Sequence, residues 1–181
     1  ANIAQVHKII RNQLFHRYVA YRDKGLDGIA DYAREDGETT QLARDLKASL
    51  NASPGLKELA PYFHRVWLEY PGSMPANAKE TFFWSRLDIE DRPALALAHR
   101  IATKFDGTEI IGERYFYISR FFDVAYALVA LVPTKEGTLF FYVNRFWVDY
   151  WTGIVSLKRA VGKQIMADRM KTRLENLGIS K

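Results

Sequence analysis

The spacing of apolar positions changes once along this chain, and the change divides it. From residue 3 to residue 23, Ile3, Val6, Ile10, Leu14 and Tyr18 recur at helical spacing, which predicts an amphipathic helix, and Gly25 supplies its stop. "LDGIADYAREDGE" predicts a short helix that leaves at Gly37, and "TTQLARDLKASLNAS" repeats the helical period through Leu42, Leu46 and Leu50. Ser53 followed by Pro54 reads as the cap and first turn of a further helix, which reaches Pro61 and closes in "YPGSMP", with residues 71–78 as a loop.

Beyond that loop the pattern alternates. In "RPALALAHRIATKF" Leu95, Leu97, His99 and Ile101 fall on one face of a strand and Ala94, Ala96, Ala98 and Ala102 on the other, where a helix has room to pack closely. "EIIGERYFYISRFF", "DVAYALVALVP" and "TLFFYVNRFWV" are three more strands. "PTKEGT" between the last two predicts an antiparallel hairpin whose register sets Arg145 near Tyr126 and the Asp123 region near Trp147. Strict alternation puts Tyr115, Tyr117 and Phe121 on one face of their strand, opposite Arg114, Phe116, Ile118 and Arg120. Likewise Phe141, Val143 and Trp147 oppose Phe140, Tyr142, Phe146 and Tyr150. Large apolar groups on both faces imply a sheet covered on both sides, or covered on one and lining a cavity on the other. The period then returns to helical, with Ile154, Leu157, Val161, Ile165, Met166, Met170 and Leu174 on one long helix that ends at Gly178.

Helices followed by strands define an α+β chain. The expected architecture is one domain, 1–181: mainly helical over 1–70, a curved antiparallel sheet of about four or five strands over 80–150, and a long C-terminal helix over 152–177 packed across it in a helix-grip-like arrangement.

Composition narrows the chemistry. A chain of 181 residues is long enough to bury most of its apolar surface as one domain. It has no cysteine, which excludes disulfides, thiolate catalysis and Cys-based metal sites. The net charge of +5 attracts anionic partners in general, while the lack of any long run of like charge argues against a nucleic-acid arm. No apolar run approaches the roughly 20 residues of a membrane helix, so the expectation is a soluble chain. Ala1 at the start, with no methionine, suits a mature exported chain after removal of a signal peptide.

The GxGxxG, GxxxxGK[ST], GxSxG and HExxH templates are absent, and His7, His16, His64 and His99 fall on different elements. No catalytic residue, metal or cofactor is therefore assigned. His99 stands out because it shares a face with Leu95, Leu97 and Ile101; it is either a buried histidine bonded to the backbone or a polar anchor in a pocket. "SRFFD" at 119–123 is echoed by "NRFWVD" at 144–149, so Arg120 with Asp123 and Arg145 with Asp149 offer rim salt bridges or a headgroup site. Interleaved Tyr, Phe and Arg on strands also suit a single-stranded nucleic-acid platform, but the RNP-type pattern is missing and no nucleic acid is expected.

At "DRPALALAHR", "ERYFYISRFF", "FFYVNRFWVD", "GIVSLKRAVGKQIM" and the N-terminal "VHKIIRNQLFHRYVAYRDKGLDGIADYAR" the chain resembles a family of exported bacterial proteins of unassigned function. That resemblance implies a periplasmic location and brings no activity, cofactor or catalytic residue. Phe146, Trp147 and Val148 stand where the family would have small polar residues. The inferred shape is similar to the START-like lipid-binding fold, an analogy of shape alone.

Three functions follow as expectations. The first is a non-enzymatic exported protein that binds a hydrophobic or amphipathic, lipid-like ligand between sheet and C-terminal helix. Tyr117, Phe141, Val143 and Trp147 would form its apolar wall, with His99, Arg120 and Arg145 as polar anchors. The second is an envelope structural or assembly factor that binds a protein partner or a second copy of itself through an exposed apolar patch. The third is a hydrolase or isomerase using His99 with Asp123 or Asp149. A peripheral membrane contact is a further candidate, with Lys158 and Arg159 on the last helix either meeting a membrane or facing water.

Overall fold

A computed structural model describes residues 2–33, 37, 39–89, 92–120 and 123–147, all within one compact unit that runs to residue 148. The C-terminal helix expected over 152–177, together with Phe121, Val148, Asp149, Tyr150, Lys158 and Arg159, lies outside the described residues.

Helix α1 (Ile3–Lys24) begins where Asn2 caps it: Asn2 Oδ1 accepts from the Ala4 N–H, and Gln5 Oε1 accepts from the Asn2 N–H. It stops at Gly25, whose φ of 60° and close approach to the Tyr70 carbonyl leave no room for a Cβ. After a 3₁₀ turn (Gly25–Gly28) come two short paired strands, β1 (Tyr32–Ala33) and β2 (Thr39–Thr40), then α2 (Leu42–Asn51), α3 (Pro54–Leu59) and α4 (Pro61–Glu69). Leu42, Leu46 and Leu50 of α2 fall one turn apart and are at most 1 % exposed, each contributing about 2 kcal/mol by burial.

The short helix expected from residue 26 does not form over the described part of that stretch. Only the 3₁₀ turn is helical there, and β1 runs extended instead. The cause is tertiary: the Tyr32 hydroxyl donates to the Ile118 carbonyl at 2.7 Å, holding this segment against the end of the central strand and overriding a weak local preference.

The main sheet is an antiparallel meander of five strands in chain order: β3 (Lys79–Ile89), β4 (Arg92–Phe105), β5 (Thr108–Ile118), β6 (Val124–Thr134) and β7 (Gly137–Trp147). The α+β order, the hairpin and its register are as the pattern implied, with Arg145 opposite Tyr126 and Asp123 N–H donating to Trp147 O at 2.9 Å. The large core lies on one face, where α1, α2 and α4 bring Tyr21, Leu46, Phe63 and Trp67 onto Leu97, Ile101, Phe116 and Tyr126. Gly112 makes this packing possible, since a Cβ there would meet the Trp67 and Phe63 rings at 2.4–2.6 Å. The other face carries a small cluster of Ala96, Ile118 and Ala125 with Leu87 and Tyr115.

One facial assignment is corrected. Between Leu97 and Ala98 the β4–β5 register shifts, Ala98 facing Tyr115 and Leu97 facing Tyr117, so Phe116 is an extra residue in a β-bulge. Phe116 and Tyr117 both turn toward the helical layer, and Ile118 passes to the opposite face with Ala96. Strict alternation fails there because a bulge advances the phase by one residue.

Candidate functional site

Pairing across the meander sets Phe82, His99, Arg114, Tyr126 and Arg145 opposite one another in turn, on the face that the helices approach. One row of side chains thus crosses all five strands and includes two of the expected polar anchors. Strands lie about 4.8 Å apart, so His99 and Arg145, three strands apart, are separated by roughly 14 Å.

At the first end His99 is fully buried under α1. Its ring stacks on Phe82 with centroids 4.3 Å apart, and Tyr21 stacks on Phe116 at 4.1 Å. Arg114 Nε donates to the Tyr21 oxygen at 2.6 Å, and Tyr21 OH lies 2.8 Å from His99 Nδ1. A guanidinium can only donate, so the Tyr21 hydrogen is free to point at His99 Nδ1, which then accepts. The imidazole proton consequently sits on Nε2, which lies 3.3 Å from Glu80 Oε2 without good hydrogen-bond alignment. Burial first, and the Arg114 charge second, hold His99 down to a pKa of about 3, so the ring is neutral at physiological pH. Burial likewise raises the Tyr21 and Tyr70 hydroxyls, with Arg114 opposing the shift and Glu80 adding to it.

Arg114 is itself fully buried, and no carboxylate among the described residues pairs with it. Its Nη1 donates to the Trp67 carbonyl, its guanidinium lies 5.3 and 5.8 Å from the Tyr21 and Tyr70 ring centroids, and Nη2 has no partner. The group is a closed polar strut that ties α1 and α4 to the sheet.

At the other end Arg145 is half-buried. Its Nη1 donates to Ser53 Oγ at 2.6 Å and to Ser49 O at 3.1 Å, and Tyr126 OH lies 3.0 Å from Ser53 Oγ. A guanidinium at the C-terminal end of α2 complements the helix dipole. No carboxylate among the described residues pairs with it. Its neighbours on the same face of β7 are exposed apolar side chains: Leu139 (49 %), Phe141 (43 %), Val143 (51 %) and Trp147 (53 %). A fixed cation beside an uncovered apolar strip can hold an anionic head with an apolar tail.

The remaining expected residues are dispersed. Tyr117 is occupied: its ring lies 5.1 Å from that of Tyr32, and Arg17 sits over both rings at 4.7–4.8 Å. Arg120 lies in the bend after β5, off the row. Asp123 is buried at the start of β6, two strands and three residues from the His99 row, or roughly 14 Å, so it does not converge with His99. A surface depression at the β6–β7 turn, lined by residues 134–139, shares Leu139 with the exposed β7 row and none of its lining with the His99 cluster. Among the described residues no group of three His, Asp or Glu side chains could hold a metal ion, and no helix is long and apolar enough to cross a membrane.

The residues that pattern reading did not single out as members of these clusters are Tyr21, Glu80 and Arg114 at one end, and Ser49, Ser53 and Leu139 at the other. Arg114 carried a signal, since it occupies the buried phase of "IIGERYF" between Gly112 and Phe116. Ser49 carried no signal of its own, and Ser53 read as a helix cap, a position it holds at the start of α3 without a side-chain capping bond. Neither the protein-family models, the curated proteins nor the solved structures contain a match to this chain.

Proposed function

We propose that this chain is a non-enzymatic, exported binding protein for an amphipathic, lipid-like molecule, held on the helix-side face of β7. One observation carries the reading: Arg145 is fixed by Ser49 and Ser53 near the Trp147 end of the exposed row Leu139, Phe141, Val143 and Trp147. The head of an acidic amphiphile pairs with Arg145, and its tail follows Val143, Phe141 and Leu139. The sequence over 152–177, with Ile154, Leu157, Val161 and Ile165 at helical spacing, is the candidate cover in this reading. His99 orders the core in this reading and does not touch the ligand.

Native mass spectrometry and lipid extraction of the purified full chain test the proposal. A co-purifying amphiphile that is lost in Arg145→Met and in Val143→Asp supports it. A chain that carries nothing and fails to bind a fluorescent fatty acid overturns it.

The edge position of β7 favours a second reading, an envelope assembly factor, because its outer backbone has no strand partner among the described residues. A partner segment could add there as a sixth strand. Pull-down with a strand peptide of the partner would then compete with neither vesicle nor fatty acid.

A further inference from the structure

Helix α1 extends beyond the body it serves. Residues 2–13 are all exposed, and burial begins only at Leu14 and culminates in Tyr21, the one fully buried side chain of the helix. The projecting part, residues 3–13, is therefore about 16 Å of helix with no layer against it among the described residues. Its side chains are not those of a solvated helix. Ile3 (72 % exposed), Val6 (40 %), Ile9 (57 %) and Ile10 (38 %) stand in water. At about 100° per residue these four fall within an arc of roughly 120°. Lys8 and Arg11 lie on the opposite side, and no acidic residue occurs before Asp23, while Arg17 and Arg22 continue the basic character.

We propose that the projecting turns of α1 are a surface-binding element for an anionic lipid membrane, lying in the interface with the isoleucine stripe inserted and Lys8 and Arg11 at the headgroups. The chemistry selects this occupant. An apolar arc backed by a basic polar face with no acid fits an interfacial helix on anionic lipid. A second copy docking through the same stripe would bury the isoleucines and leave Lys8 and Arg11, on the opposite side, without an anionic counterpart. A nucleic acid would satisfy the cations and leave the isoleucines in water. The positive end of the helix dipole, with no acidic side chain in the first turn to offset it, points the same way. This inference stands apart from ligand binding on β7, since it uses a different element and a different face.

Co-sedimentation of the full chain with vesicles tests it, using phosphatidylcholine mixed with phosphatidylglycerol beside phosphatidylcholine alone. Binding is expected to the mixed vesicles and to weaken as salt is raised. Each basic residue near an anionic surface contributes about fivefold in partitioning, so Lys8→Gln with Arg11→Gln weakens binding by about thirtyfold. Ile3→Ser with Ile10→Ser weakens it by about tenfold or more. Neither pair shifts the unfolding midpoint, because the side chains are already exposed. Equal binding to both vesicle types, or binding indifferent to both pairs of substitutions, overturns the proposal. Absence of vesicle binding together with self-association that Ile10→Ser abolishes also overturns it, in favour of a second copy.

Discussion

The two ends of the row across the sheet share a strand pattern and differ in what lies above them. At the His99 end α1 and α4 close over the sheet, so His99, Arg114, Phe116 and Trp67 are each at most 2 % exposed. At the Arg145 end, among the described residues, the tail of α2 and Ser53 just beyond it reach Arg145, and the apolar neighbours on β7 are about half exposed. The lesson is that alternation decides which face a side chain takes, while burial depends on whether another layer covers that face. The largest test compares one tryptophan from each end. Trp67→Ala should cost about 4 kcal/mol in urea unfolding, as a buried aromatic does, whereas Trp147→Ala should cost under about 1 kcal/mol. Similar losses for both would mean that the β7 strip is covered as thoroughly as the core.

Next in size is the strut itself. Tyr21→Phe removes the oxygen that accepts from Arg114 Nε and the hydrogen aimed at His99 Nδ1, leaving two buried polar groups unpaired while preserving the ring stack on Phe116. A loss of about 3 kcal/mol is expected from calorimetric unfolding, since unsatisfied buried groups cost about 1–3 kcal/mol each. A loss below about 0.5 kcal/mol would show that the hydroxyl is a bystander and the stacking alone holds α1 down.

What could be read from the sequence follows the same division. The α1 boundaries, the Gly25 stop, the α2 leucines and the β6–β7 register were legible because each rests on local spacing or a turn. Two features were not, for a shared reason. The Phe116 bulge and the extended Tyr32 segment are set by partners about 95 and 86 residues away, Tyr21 and Ile118, and no window of the chain contains both members. The site was legible by halves. The facial grouping of Phe141, Val143, Arg145 and Trp147 followed from period two, but the exposure of that face among the described residues, and the hold of Ser49 and Ser53 on Arg145, depend on where the helices stop.

The closed end also carries a pH signature. His99 titrates near 3 in the folded chain and near 6.5 unfolded. Below about 6.5 the unfolded chain takes up a proton that the folded one refuses, so stability falls with pH, by about 1.4 kcal/mol per unit, until the folded value is reached. The groups facing the ring are Tyr21, Tyr70, Glu80, Phe82 and Arg114, of which only Glu80 offers a compensating negative charge. Going from pH 6.5 to pH 4.5 should therefore remove about 2–3 kcal/mol. His99→Asn keeps an acceptor for Tyr21 OH and has nothing to titrate, so its urea midpoint should depend less on pH over that window. An unchanged slope in the variant would place the acid sensitivity elsewhere.

The smallest effect on stability discriminates best for function. Arg145→Met keeps the length and apolar stem of the side chain while removing bonds to Ser49 O and Ser53 Oγ and the charge at the end of α2. Those contacts are half-exposed and Ser53 retains Tyr126 OH and Ser49 O as partners, so the cost should be about 1 kcal/mol. If Arg145 only caps a helix, that is the whole consequence, and Arg145→Lys should restore part of it. If Arg145 holds an anionic head, binding of a fluorescent fatty acid should fall by at least tenfold in the Met variant, with the methyl ester of the same probe unaffected. A fall for acid and ester alike would assign binding to the apolar strip and leave Arg145 as a cap on α2.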